Sequence, residues 1–122
     1  MKTANFTVEE CIERLSCRVD GKGVLRSKQS LFVLLVSLLI HRAYELGYEL
    51  TFGDAMADDG HMDRSLHYIR LAIDLNLFRD GKYLRSVKAH QELGEYWESL
   101  GGSWGGRFND ANHYSLEHHG RK

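Results

Sequence analysis

Ten consecutive residues, Leu31 to Ile40, are apolar except for Ser37. The run is too short to span a bilayer, which takes about 20 apolar residues. A helix that is apolar nearly all round has to lie in the interior. The segment therefore predicts a central core helix, starting near Ser27 and ending at Gly47, where a left-handed C-cap belongs. Arg26 and Lys28 before the run give it a superficial likeness to a signal-peptide core. Its place thirty residues in, with no small-residue cleavage site after it, argues against an export signal and against membrane insertion.

The other elements are arranged around that helix. Thr7-Val8-Glu9-Glu10 has the form of a capping box, and Val8, Cys11, Ile12 and Leu15 recur at helical spacing, predicting a short helix from Val8 to Cys17. Asp20-Gly21-Lys22-Gly23 breaks it. From Tyr48 the period changes to two: Tyr48, Leu50 and Phe52 alternate with Glu49, Thr51 and Gly53, as in a strand. Leu71, Ile73, Leu75 and Leu77 then alternate with Ala72, Asp74, Asn76 and Phe78, so the leucine face is buried and Asp74 points the other way. Asp80-Gly81 is a type I′ hairpin signal leading to a strand over residues 82–84. Leu93, Tyr96, Trp97 and Leu100 mark a third helix from about Val87, stopped by Gly101-Gly102. Gly101 to Gly106 reads as a flexible connector with Trp104 packed or lining a cleft. A final strand is expected over residues 112–116, with His113 and Ser115 on one face. The expected class is α+β, a small antiparallel sheet packed against about three helices. A single domain over residues 1–122 is expected, helical over about 1–47 and sheet-rich over about 48–122.

A net charge of −1 and the lack of an aromatic-basic stacking motif give no reason to expect nucleic acid. Cys11 and Cys17 have no CxxC partner and are expected as two reduced thiols on different helix faces.

Two imidazoles, His67 and His113, and one carboxylate, Asp74, can be combined as a metal site, with a second carboxylate, Asp110, three positions before His113. Two His and one Asp would leave one coordination position of Zn²⁺ open. The spacing of His67 and Asp74 constrains the backbone. On a continuous helix they would be ~10 Å apart along the axis, and on a continuous strand they would face opposite sides. The pair works only if the chain bends, at about Tyr68 to Arg70, before the strand begins. Each residue also has an ordinary reading: His113 as a surface histidine, Asp74 as an acceptor for a neighbouring loop. His61 fits a substrate contact or a solvated loop. Glu117 is a rival base to Asp110, although its position four residues after His113 would point it elsewhere on a strand. His118-His119 fits an adventitious metal site or a frayed tail. A Ser65-His67-Asp74 triad has no nucleophile-elbow motif behind it.

The wider pattern Ser65-x-His67-x-x-x-x-Ala72-x-Asp74, followed by Gly105-Gly106-x-Phe108-x-Asp110-x-x-His113, resembles the zinc D,D-carboxypeptidase and L-alanyl-D-glutamate peptidase family. The runs Arg70 to Phe78, Trp97 to Gly102 and Trp104 to Phe108 look most like small single-domain phage endolysins. The resemblance covers roughly Tyr48 to Gly120. It implies a hedgehog-like fold, a Zn²⁺ cofactor held by His67, Asp74 and His113, and Asp110 as the catalytic carboxylate. In that role Asp110 takes a proton from the attacking water and passes it to the leaving amine.

The implied substrate is the peptide stem of bacterial peptidoglycan, cut between L-alanine and D-glutamate. Removal of terminal D-alanine is the alternative, and a non-catalytic wall-binding or virion module on the same fold is a third. A monomer in the host cytoplasm is expected, needing a holin-type membrane permeabiliser to reach the wall. Two departures from the family pattern stand out. Gly53 to Ala57 has alanine where many relatives place a substrate-binding arginine, for which Arg64, Arg70 and Arg107 are the candidate substitutes. Arg70 stands where many relatives have glycine, which makes a left-handed turn there less expected.

Overall fold

The computed structural model describes residues 5–17, 24–53 and 66–122, the side chains of residues 67 and 68 excepted. Helix α1, Val8–Ser16, is capped as its sequence requires: the Thr7 hydroxyl accepts from the Glu10 N–H, and the Glu10 carboxylate accepts from the Thr7 N–H. Cys11 and Cys17 are free thiols. Helix α2, Val24–Glu45, starts three residues before the expected Ser27. The left-handed C-terminal position is Gly47, with φ of 89°.

Only one stripe of α2 is buried: Phe32, Leu35, Val36, Leu39 and Ala43. Val33 is 68% exposed, so the expectation of a helix enclosed all round is corrected to a one-sided core helix. At 22 residues and mean hydropathy 1.4, α2 is long and apolar enough by length and composition to cross a membrane. The full helix outruns the ten-residue apolar run, which taken alone is too short to span a bilayer.

The sheet is antiparallel and built on β2, Ala72–Arg79. Strand β1, Glu49–Phe52, pairs along one side of β2, with Leu50 opposite Leu77 and Thr51 opposite Asn76. The other side is shared. Strand β5, His113–Ser115, takes the first half, and β3, Lys82–Leu84, takes the second. The hairpin from β2 to β3 turns through Asp80 and Gly81, with φ of 52° and 76°, the pair of positive values a type I′ turn demands. Strand β4, Ser103–Trp104, pairs with β5 at the sheet's edge.

Because β2 alternates strictly, its two faces have different chemistry. Ile73, Leu75 and Leu77 are buried, whereas Asp74 and Asn76 are half-buried. Helix α3, Val87–Ser99, N-capped by Ser86, joins α2 over the apolar face. The Trp97 ring meets Phe32 of α2 edge-on at 5.8 Å and Tyr114 of β5 edge-on at 6.1 Å. Its indole N–H donates to the carbonyls of Ser103 and Ser115, tying α3 to both strands.

Residues 101–106 form no flexible connector. They contain β4 and the start of a 3-10 turn, Gly105–Phe108. The glycines are packing requirements here. A Cβ at Gly94 or Gly106 would run into the Trp104 ring, and one at Gly102 would run into Trp97. The tail is not frayed either. His118 pairs with Arg121 in a short bridge, and the Lys28 ammonium bonds the Glu117 carbonyl.

Candidate active site

A 3-10 turn, Leu66–Ile69, feeds directly into β2. The chain does bend where the His67–Asp74 spacing required. The residue that completes the bend is Arg70, at φ of 58°. The expectation that arginine would disfavour a left-handed turn there is therefore corrected. The turn is held by the Leu71 N–H, which donates to the Leu66 carbonyl at 2.9 Å, and by Gln29, whose amide donates to the Ile69 carbonyl. Both side chains flanking the turn in the core, Leu66 and Leu71, are fully buried. That anchorage outweighs the modest cost of a non-glycine left-handed residue.

Asp74 lies directly opposite His113 in the β2–β5 register, on the face away from the helices. His113 Nδ1 is 3.5 Å from Asp74 Oδ1 and 4.0 Å from Asp110 Oδ2. The His113 side chain is 7% exposed, Asp74 20% and Asp110 52%, a gradient from packed imidazole to accessible carboxylate. A direct hydrogen bond would close to about 2.8–3.2 Å. Two donors sharing a tetrahedral zinc at bonds near 2.1 Å stand about 3.4 Å apart. The Asp74–His113 separation thus fits two corners of such a site.

Among the described residues no set of three His, Cys, Asp or Glu side chains is spaced to hold a metal. The third donor expected, the His67 side chain, lies outside them, as do His61, Arg64, Ser65 and the alanines at 55 and 57.

The Asp110–His113 segment is braced from beneath. The Asp110 N–H donates to the Gly105 carbonyl at 2.8 Å, and the His113 N–H donates to the Asp110 carbonyl at 3.2 Å. A Cβ at Gly105 would collide with the Asp110 carbonyl and the His113 Cβ, so only glycine permits this approach. The buried Trp104 indole N–H donates to the Ala111 carbonyl at 2.8 Å. Phe108 meets the His113 ring edge-on at 5.7 Å. These supports were not read from the sequence. Their signal was the interleaving of glycine with tryptophan over residues 101–106.

Residues 59–116 match a family model described as D-alanyl-D-alanine carboxypeptidase. The match points to a peptidase. The matched span is 58 of the 122 residues, just under half, and contains His67, Asp74, Asp110 and His113. Comparison with curated proteins and with solved structures gave no match. The α+β architecture, with three α-helices and a small antiparallel sheet among the described residues, is consistent with the matched family.

The candidate arginines are placed differently from one another. Arg107 makes a bidentate pair with Glu98 at 2.7 and 2.9 Å and lies over the Trp104 ring. That bonding holds the Glu98 carboxyl below its usual range. Arg70 is exposed and borders an apolar groove with Phe32, Val33, Ile40 and Phe52. Glu117 is exposed, beyond the end of β5, and lines a different hollow from the Asp74–His113 pair, with Glu98 and Lys122.

Proposed function

We propose that the protein is a zinc peptidase of the phage endolysin type that cuts peptidoglycan stem peptides, between L-alanine and D-glutamate. The observation that carries the reading is the Asp74–His113 pair, set at a metal-ligand separation inside the segment that matches a peptidase family. His67, Asp74 and His113 are the residues that would hold the ion. When bound, zinc supplies Lewis acidity toward water and the scissile carbonyl.

The chain's own residues do the rest. Asp110, the more exposed carboxylate beside His113, accepts the proton of the attacking water and returns it to the leaving amine. The antiparallel register of β2 and β5 fixes Asp74 and His113 before substrate arrives. The protein acts as a monomer that accumulates in the host cytoplasm and reaches the wall once a holin-type partner permeabilises the membrane.

Removal of terminal D-alanine is the second reading, favoured by the description of the matching family. Digestion of purified peptidoglycan by zinc-loaded protein, with products identified by mass spectrometry, separates the two. Chelator-sensitive cleavage between L-alanine and D-glutamate is expected. Release of terminal D-alanine would move the assignment to carboxypeptidase, and zinc binding without product would favour a wall-binding module. Asp110→Ala is expected to keep zinc while losing roughly 10²–10⁴-fold in rate, the usual worth of a positioned acid-base group. Full activity in that variant would remove Asp110 from the mechanism.

A further inference from the structure

The sheet face that bears Asp74 and His113 continues into a second polar cluster. Asn76, two residues beyond Asp74 on the same face of β2, lies opposite Thr51 of β1. Its amide N–H donates to the Thr51 hydroxyl, and its carbonyl oxygen accepts from the Tyr83 hydroxyl and from the Asn112 amide. All three bonds are 3.3 Å long, at the weak end of the hydrogen-bond range, in a half-buried to exposed setting. Such bonds are readily exchanged for bonds to a ligand.

Two accepted bonds fill the Asn76 oxygen, and one N–H stays uncommitted within the cluster. Among the described residues, Thr51 keeps its hydroxyl proton for an outside acceptor, and the Asn112 side chain keeps one N–H and its amide oxygen, its backbone carbonyl being taken by the Leu75 N–H. The group is neutral and offers donors beside acceptors, which matches peptide amides rather than a carboxylate. Gly53 lies beside the cluster, its N–H donating to the Asp74 carbonyl. A Cβ at Gly53 would press on Asp74 Cβ at 3.1 Å and stand 3.4 Å from the Asn76 side-chain oxygen. With no side chain at Gly53, nothing from that position presses on Asp74 or on the Asn76 oxygen.

Resting on the peptidase reading, we propose that Thr51, Asn76 and Asn112 form a substrate subsite that holds backbone amides of the stem peptide, two residues from the scissile bond. The distance is set by the strand: two residues advance ~6.8 Å, and an extended peptide advances by the same amount. Asn76 is then a specificity-determining residue that favours substrates whose chain continues past the cut.

The test compares a synthetic stem pentapeptide with a dipeptide that contains only the scissile bond. Kinetics are measured on zinc-loaded protein, and peptide binding is followed by NMR of the Asn side-chain amides on chelator-treated protein. Asn76→Ala is expected to raise KM for the pentapeptide about tenfold, the worth of one to two ligand hydrogen bonds, with kcat changed less than about twofold. The dipeptide KM stays unchanged. Thr51→Val, isosteric and equally suited to a strand, raises the pentapeptide KM about threefold. Equal loss on both substrates, or no loss on either, overturns the subsite while leaving the peptidase reading in place. Pentapeptide binding that Asn76→Ala weakens, in a protein that cleaves nothing, upholds the subsite and removes the hydrolytic reading. Neither binding nor cleavage removes both.

Discussion

Trp104→Phe tests how the site is held. The indole N–H bonds the Ala111 carbonyl at 2.8 Å inside the loop that carries Asp110 to His113. Phenylalanine cannot donate that bond, and leaving a buried carbonyl without it costs about 1–3 kcal/mol. The smaller ring also leaves a void of roughly 40 Å³, which at about 24 cal/mol per Å³ adds ~1 kcal/mol. Gly94 and Gly106 both abut the ring, and their backbones have little freedom to close the gap. The expected total is about 2–4 kcal/mol, or about 8–15 °C in Tm for a chain of this size.

Loosening the turn beneath His113 should cost zinc affinity as well, about 5- to 30-fold if half of that energy is felt at the site. Urea unfolding followed by circular dichroism gives the first quantity, and zinc titration against a competing chelator gives the second. A variant with unchanged midpoint and unchanged zinc affinity would refute the idea that Trp104 braces the site.

Two other perturbations separate causes that look alike in the sequence. Gly94→Ala places a methyl against the buried Trp104 ring and should cost about 3 kcal/mol or prevent folding. Gly81→Ala meets nothing within 4 Å but sits at φ of 76°, and should cost only about 1 kcal/mol, both read by urea unfolding. His90 is buried between the Tyr114 hydroxyl at 3.2 Å and the Leu84 carbonyl at 3.1 Å. Desolvation depresses its pKa, opposed by the bond to Leu84. The unfolded chain therefore binds the proton first. Stability should be full above the ordinary histidine value of about 6.5 and fall as pH drops below it. Urea midpoints at pH 7.5 and 5.5 should differ, and the difference should shrink in His90→Gln.

The parts of the fold that were legible were those decided by local chemistry. Thr7 and Glu10 cap α1, the Asp80-Gly81 turn is dictated by its φ values, and the alternation along β2 assigns Asp74 to the polar face. What escaped were contacts between distant segments. Gly101 to Gly106 looked mobile because glycine carries no mark of the ring that presses on it, and Trp97 and Trp104 arrive through tertiary packing. Arg70 adopts a left-handed turn because Leu66 and Leu71 are buried on either side of it, which residue preference alone does not reveal. At the site, the spacing of His67 and Asp74 demanded a bend and one is present. The convergence of Asp74 with His113 needed the β2–β5 register, which no local pattern carries.

That register couples the chemistry to the parity of strand pairing. His113 and Tyr114 are neighbours with opposite duties, one beside Asp74 and the other packed on Trp97 in the core. A slip of β5 by one position would exchange them, placing an imidazole in the apolar layer and a phenol beside the carboxylates. No slipped form could keep a sound core with a broken site, or a working site on a faulty core. Single-residue insertions between Gly105 and Asn112 should therefore be far less tolerated than substitutions there, and a chain that has closed its core has, by the same step, brought Asp74 and His113 together.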